Sequence, residues 1–500
     1  MTTENIPSLD DLPLFATPPQ PTDLPPRHVW ADTTETPARG LPRVAPAATT
    51  TGAVTGAADA EFWRTVNALR QKVAELQAGS LVGQRLDRAS REELGRAHIQ
   101  SVVRDHSDTM LENGQPGFEP RYEARLVKAL FDAMFRLGRL QALVEREGVV
   151  NIEITGHDRV LLLFADGHRE WAPPIADSNA DLINFLQFLA SRDPDDNELS
   201  FTRSNPHLEM RLPGRVRLAA DAWTTPVPRI SIRLQHLQHV DMAMLRRAGE
   251  IDHVLEEFLA AAVRARKSIV VSGQGQGSGK TTLLRALASA LDPWESLATI
   301  ETDFELYLHE EPERHHRVVP FETRLGSGEY TAGGTRAGEI SASELLRGSL
   351  RHNVDRILVG EVRGAEIVAM FEAMQGGNGS MSTVHADSAR DVVERLVGLT
   401  VKDSRLSETY AYRAIANSID LIVYISVATR PDGSRDRYVS QVIEVTRGER
   451  DNPVAITDVF VPGPDGRALP ANAPTFMDDL VRAGFDRSLF NYTQGTWGQS

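Results

Sequence analysis

Residues 268–288 read SIVVSGQGQGSGKTTLLRALA: an apolar stretch, a glycine-rich run, then a helical pattern. An apolar strand that enters a glycine turn and leaves as a helix points backbone N–H groups at one spot. The helix N-terminus adds partial positive charge there, and together they bind phosphate oxygens. The usual spacing, G-x-x-x-x-G-K-[ST], puts the first glycine six residues before the lysine. Six before Lys280 is Gln274, and Gly273 is one residue further away, so this loop is one residue long for the motif. Its closely constrained part, Gly277-Ser278-Gly279-Lys280-Thr281, is intact. The added residue falls at Gln274–Gln276, between glycines that take positive φ and absorb a bulge. Gly275, Gly277, Ser278, Gly279, Lys280, Thr281 and Thr282 are therefore the candidate nucleotide-binding residues. Lys280 would reach the β/γ-phosphates, and the Thr281 hydroxyl would ligate Mg2+.

The flanking sequence sets the fold class. "IDHVLEEFLAAAVRA" (251–265) carries Ile251, Val254, Leu255, Phe258, Leu259, Ala262 and Val263 on one helical face. Strands and helices then alternate: strands at 268–272, 297–301, 356–361, 381–385 and 420–426, helices at 281–291, 343–350, 364–374 and 388–399. That alternation predicts an α/β domain with a mainly parallel sheet covered by helices. Ligands of such sheets bind at the C-terminal strand ends, which places Glu301, Glu361 and the glycine loop at one rim. An ATPase needs one carboxylate to orient or deprotonate water and another in the metal shell. Gly360 stands where many P-loop ATPases carry a metal-binding Asp, which leaves Mg2+ to Thr281, water and Glu301. "GGNGSMSTVHAD" (376–387) is a turn and a strand ending in His385, whose imidazole could contact the γ-phosphate or relay its loss.

Upstream, "VVNIEIT", "RVLLLF", the hairpin "HLEMRLPGRVRLAADA" turning at Pro213-Gly214, and "RISIRL" predict an α+β domain. The expected layout is a disordered tail at 1–58, a helical extension at 59–105, the α+β domain at 106–235 and a linker at 236–250. The ATPase domain follows at 251–430, and an irregular tail at 431–500. The tail at 1–58 holds ten of the 28 prolines and many Thr and Ala. In the extension, Phe62, Val66, Leu69, Val73 and Leu76 share a helical face.

Composition removes several function classes. There is no cysteine, hence no disulfide, thiolate metal site or thiol nucleophile. The densest His/Glu run, "HEEPERHHR" (309–317), predicts a solvated charged loop rather than a zinc site. No run of about 18 apolar residues is present and the N-terminus has no secretory pattern, so the expected location is the cytoplasm. A net charge of −15 argues against direct nucleic-acid binding.

"SGKTTLLRAL", "TIETDFEL", "ELLRGSLRHNVDRILVGEVRGAE" and "GSMSTVHADSARDVVERL", in this order, resemble the type II/IV secretion ATPases. The branch they resemble is the CpaF/TadA type of tight-adherence (Flp) pili in its actinobacterial form. "GRLQALVEREGVVNIEITGHDRV", "RLPGRVRLAA" and "RISIRL" resemble that family's N-terminal domain, and the likeness covers about residues 125–430. The resemblance implies a RecA-like P-loop NTPase domain, ATP and Mg2+ as cofactors, and a homo-hexameric ring. It also implies inner-membrane platform proteins as partners and pilin, protein or DNA as cargo. It makes Lys280 and Thr281 the Walker A residues, Glu361 the Walker B glutamate, Glu301 and Glu305 the Asp-box acids, and His385 the His-box residue. Arg363 matches the arginine of "GEVRG", and Arg215 and Arg233 match arginines turned toward the nucleotide. The sequence departs from the pattern in its longer P-loop, in Glu-Thr-Asp within the Asp box, and in a turn before His385 that is one residue short. The alternatives are a nucleotide-binding assembly subunit without turnover and a DNA-translocating motor. A P-loop kinase would need an acceptor pocket and an arginine-rich lid, which the sequence does not offer.

Overall fold

A computed structural model describes residues 51–80, 87–191, 199–235, 239–275, 277–324, 338–430, 435–449 and 452–498. The tail expected at 1–58 lies outside these residues up to position 50. Position 51 begins a helix, Thr51–Ser80. The chain divides into two units, Met1–Ala68 and Leu69–Ser500, and the site lies in the second. Leu69 and Val73 of the helical extension are buried, whereas Leu76 is exposed. Among the described residues no helix is long and apolar enough to cross a membrane.

Six antiparallel strands make the first sheet: β1 (Val149–Thr155), β2 (Arg159–Phe164), β3 (Arg169–Ala172), β4 (His207–Leu212), β5 (Val216–Asp221) and β6 (Arg229–Leu234). Their order is β3-β2-β1-β6-β5-β4. Alternation fixes the two faces. Ile230, Ile232 and Leu234 of β6 and Val216, Leu218 and Ala220 of β5 point into a core with Leu182 and Leu186 of the helix Asn179–Ala190. The intervening residues face the other way, and Arg217 is the register partner of Arg233 there. Both arginines are thus displayed on the face opposite the core.

The second sheet holds β7 (Ile269–Gly273), β8 (Ser296–Glu301), β9 (Arg317–Glu322), β10 (Arg356–Val362), β11 (Met381–His385), β12 (Leu421–Thr429), β13 (Arg435–Glu449), β14 (Asn452–Pro462) and β15 (Ala468–Pro470). Its order is β15-β14-β13-β12-β7-β11-β10-β8-β9, and β12 through β9 run parallel. The central strands are buried on both faces, as parallel sheets require. Ile269 and Val271 enter one apolar cluster with the helix His253–Arg264, and Val270 enters a second one on the opposite face. This is the RecA-like α/β arrangement, a P-loop strand at the centre of a mainly parallel sheet.

Two expectations are corrected. Residues 431–500 are not an irregular tail: β13, β14 and β15 extend the large sheet antiparallel, and a helix follows at Met477–Arg482. Although Pro453, Asp458 and Gly448 lie within these strands, "YVSQVIEV" and "PVAITDVFV" supply buried Val439, Val442, Ile443, Val445, Val454, Val459 and Phe460. Nor is "HEEPERHHR" fully solvated. His315 is buried, and Glu311 accepts a 2.6 Å hydrogen bond from Arg285, a buried cation that needs a counter-charge.

Candidate nucleotide site at the strand ends

β7 ends in glycine because a Cβ at Gly273 would lie 2.9 Å from the Ile425 carbonyl oxygen and 3.0 Å from Ser278 Oγ. Gly275, Gly277 and Gly279 then take φ of 68°, 73° and 97°, a region costing other L-residues about 1–2 kcal/mol each. The lengthened loop is therefore built on alternate glycines and still delivers Lys280 to the first position of the helix Lys280–Ala288. Thr282 follows, partly exposed, on the first helical turn. Lys280 folds back over the loop. Its Nζ donates to the Gly275 carbonyl at 3.2 Å and to Ser278 Oγ at 3.3 Å, and it lies 3.1 and 3.2 Å from the two ring nitrogens of His385. Burial pulls its pKa down to about 8, against the opposing charges of Glu361 and Glu305. Among the described residues no carboxylate pairs directly with this ammonium. A largely buried ammonium whose hydrogen-bond partners are a carbonyl and a hydroxyl of the loop fits an anionic phosphate.

Glu361 is aimed by a bulge. The β10–β11 pairing shifts between Val359 and Glu361, with Gly360 as the additional residue. Glu361 Oε1 then lies 2.7 Å from His385 Nε2, and its Oε2 accepts from Arg363. Burial, then the Lys280 charge, lowers the His385 pKa, so the ring is neutral at pH 7. Lys280 Nζ stands within hydrogen-bond distance of both ring nitrogens, and the Nε2 side of the ring faces the Glu361 carboxylate. At Gly360, where many P-loop ATPases carry an Asp, a Cβ would crowd Glu301, standing 3.1 Å from its Cγ.

The two Asp-box acids part company. Glu301 is 3% exposed, and its Oε2 accepts from the Glu305 and Leu306 backbone N–H groups at 2.8 and 2.9 Å. Its Oε1 has no hydrogen-bond donor, and burial pushes its pKa up to about 7. Glu305 instead meets the Thr281 hydroxyl, which donates to its Oε2 at 2.8 Å. Burial raises the Glu305 carboxyl, but the charges of Arg217 and Arg233 with the Thr281 and Arg217 hydrogen bonds outweigh it and hold the pKa below the ordinary value. Of the two acids expected near the metal shell, Glu305 and not Glu301 meets the Thr281 hydroxyl, while Glu301 anchors the loop that carries Glu305. Hydroxyl and carboxylate oxygens suit Mg2+. No described cluster of three or more His, Asp or Glu could hold a metal alone, so phosphate oxygens and water would have to complete its shell.

Glu301→Gln tests this division of labour. A carboxyl whose folded pKa is raised from about 4.5 to about 7 binds its proton more tightly when folded. Stability is then present below pH 4.5 and is lost as pH rises to 7, by on the order of 3 kcal/mol. The amide carries no charge to desolvate and can still accept from both backbone N–H groups. The variant should unfold at higher urea than the parent at pH 8, with the advantage shrinking by pH 5. A difference independent of pH would show that Glu301 charge is not the source.

The smaller sheet closes the site from the other side. Arg217 NH1 donates to Glu305 Oε1 at 2.8 Å and its NH2 to the Phe304 carbonyl at 2.9 Å, while Arg233 NH1 lies 3.9 Å from Glu305 Oε1. Arg215 does not join this group. At φ 61° in the β4–β5 turn it pairs with Glu310 and lies 4.8 Å over the Tyr307 ring. Arg217 was missed in the sequence, although the alternation of "VRLAAD" puts it on the outward face with Arg233. Arg437 was missed as well. Its Nε donates to the Gly277 carbonyl at 2.9 Å from β13.

A family model for type II/IV secretion system proteins matches residues 141–433. The chain belongs to that family. A Mycobacterium tuberculosis protein assigned provisionally to conjugal transfer is 29% identical to this secretion-family chain over 300 residues, covering 58% of this chain and 80% of that protein. The type IV secretion system protein PtlH of Bordetella pertussis is 37% identical over 187 residues, 37% of this chain and 52% of PtlH. The solved Legionella pneumophila ATPase DotB is 19% identical, with 61% of this chain and 79% of that one covered at a TM-score of 0.44.

Proposed function

We propose that this chain is an ATP-hydrolysing motor of a type II/IV secretion or pilus machine, of the CpaF/TadA tight-adherence branch. In this reading it works as a homo-hexamer at the cytoplasmic face of the inner membrane, beside platform proteins, and moves pilin. The observation that carries the reading is the convergence, at the C-terminal ends of parallel strands, of Lys280, His385, Glu361 and the Thr281–Glu305 pair with Arg217 and Arg233 of another sheet.

The chain's own groups take distinct roles. The loop N–H groups and Lys280 bind and orient the phosphates. Glu361 orients and deprotonates water, with its carboxylate held between His385 and Arg363. Thr281 and Glu305 would hold Mg2+, which when bound neutralises phosphate charge. Glu301 fixes the Glu305 loop, and Arg217 and Arg233 supply positive charge from the other sheet. The competing reading, a subunit that binds nucleotide without turnover, rests on the lengthened loop.

Lys280→Ala separates them from chance. Phosphate release should fall to background, while the nucleotide-free protein melts at or slightly above the parent temperature, because a partly desolvated ammonium has been removed. A collapse of thermal stability would make Lys280 a structural residue. Tight ATP binding by the unsubstituted chain with no phosphate release, even with partner membrane proteins, would favour the non-hydrolysing reading. Operon neighbours encoding pilin and prepilin peptidase, rather than relaxase, would support the pilus branch over DNA transfer.

A further inference from the structure

Arg437 lies beyond the residues matched by the family model, on β13 opposite Val427 of β12. Its Nε donates to the Gly277 carbonyl, and its Cδ would sit 3.3 Å from a Cβ on Gly279. The same imagined Cβ would lie 3.9 Å from Glu250 Oε2, so one arginine and one glutamate flank the second half of the glycine loop. Glu250 belongs to the connection between the two sheets, and that connection is itself tied to the C-terminal strands. Val439 N donates to the Glu250 carbonyl at 2.8 Å, and Arg467 NH1 donates to the Gly249 carbonyl at 2.6 Å. Arg467 is in turn stacked at 5.0 Å on both Tyr438 and Trp497.

We propose that Arg437 is a positioning residue for the lengthened phosphate loop. It holds the Gly277 carbonyl outward, so that the N–H groups of Gly277 to Lys280 face the phosphates before any ligand arrives. A loop with an added residue and glycines at 273, 275, 277 and 279 has many accessible backbone states, and ordering them opposes binding. A charge-assisted hydrogen bond from a strand paired with β12 at Arg437 removes part of that cost in advance. Gly279 leaves room for the arginine stem, so the loop and the strand are mutually fitted.

The proposal rests on the nucleotide site above, and two readouts keep them separate. Arg437→Met retains the stem and removes the donor, whereas Arg437→Lys restores a donor and a charge. In the full chain, Arg437→Met should raise the dissociation constant for fluorescently labelled ADP by about ten-fold, and Arg437→Lys should recover part of it. Without nucleotide, amide hydrogen exchange across 273–281 should quicken in Arg437→Met, while the melting temperature stays near the parent value. Unchanged affinity and exchange would overturn the proposal, as would a general loss of stability with parental loop exchange. If the unsubstituted chain fails to bind labelled ADP, the nucleotide reading falls, and the exchange measurement still decides whether Arg437 orders the loop.

Discussion

Glu361→Gln lowers the steady-state rate of phosphate release by about 10²–10⁴-fold and leaves nucleotide affinity within a few-fold of the parent. The amide keeps the length and shape of the carboxylate, so β10, its bulge at Gly360 and the strand pairing are undisturbed. It cannot take a proton from water, and it presents one acceptor where the carboxylate serves both Arg363 and His385. Single-turnover measurements with saturating ATP isolate the chemical step from product release. A rate near that of the parent would move the base to Glu305, the acid held below its ordinary pKa by two arginines.

Arg217→Ala is expected to cost about 10³–10⁵ in turnover, the range over which an arginine that neutralises transition-state charge acts in other phosphoryl-transfer enzymes. Arg217 and Arg233 stand side by side on adjacent strands, and both face Glu305. In the proposed motor, a guanidinium carried by the other sheet that leaves Glu305 for an incoming phosphate would link hydrolysis to displacement if its sheet moved with it. Arg233→Ala should follow Arg217→Ala at smaller magnitude, because its guanidinium is further from Glu305. Arg215→Ala, which loses only Glu310 and the Tyr307 face, should change turnover little. Activity that also rises steeper than linearly with protein concentration would support the ring. Linear activity from a verified monomer, insensitive to all three substitutions, would sink the coupled mechanism while leaving the ATPase assignment standing.

Much of this was legible because strands buried on both faces must read as short apolar runs, and ligand-binding residues then follow the last apolar position. Glu301, Glu361 and His385 were found that way, as was Lys280 at the start of its helix. What local pattern cannot encode is which acid turns inward. Glu301 packs against Gly360, which has no side chain to crowd it, and that fit joins two strands about sixty residues apart. Arg215 was chosen over Arg217 on family likeness, although period-2 alternation alone puts Arg217 beside Arg233. Arg437 was lost because turn-forming Pro, Gly and Asp drew notice away from the β-branched residues between them.

The centre of the large sheet has a consequence for synthesis. β7 is flanked by β11 and β12, so when the phosphate loop leaves the ribosome neither neighbour yet exists. About a hundred residues must be added before β11 emerges, and roughly forty more before β12. At about 5–20 residues per second this strand waits on the order of 5–20 s with both edges unpaired. Its five apolar and small residues would be an open template for another nascent chain. The helix His253–Arg264, made just before it and already apolar on the matching face, is the first large element available to cover it, and the helix Lys280–Ala288 joins the same apolar cluster next. Weakening that face, for example at Phe258, should therefore depress the yield of soluble protein during expression more than it depresses the melting temperature of the molecules that finish folding.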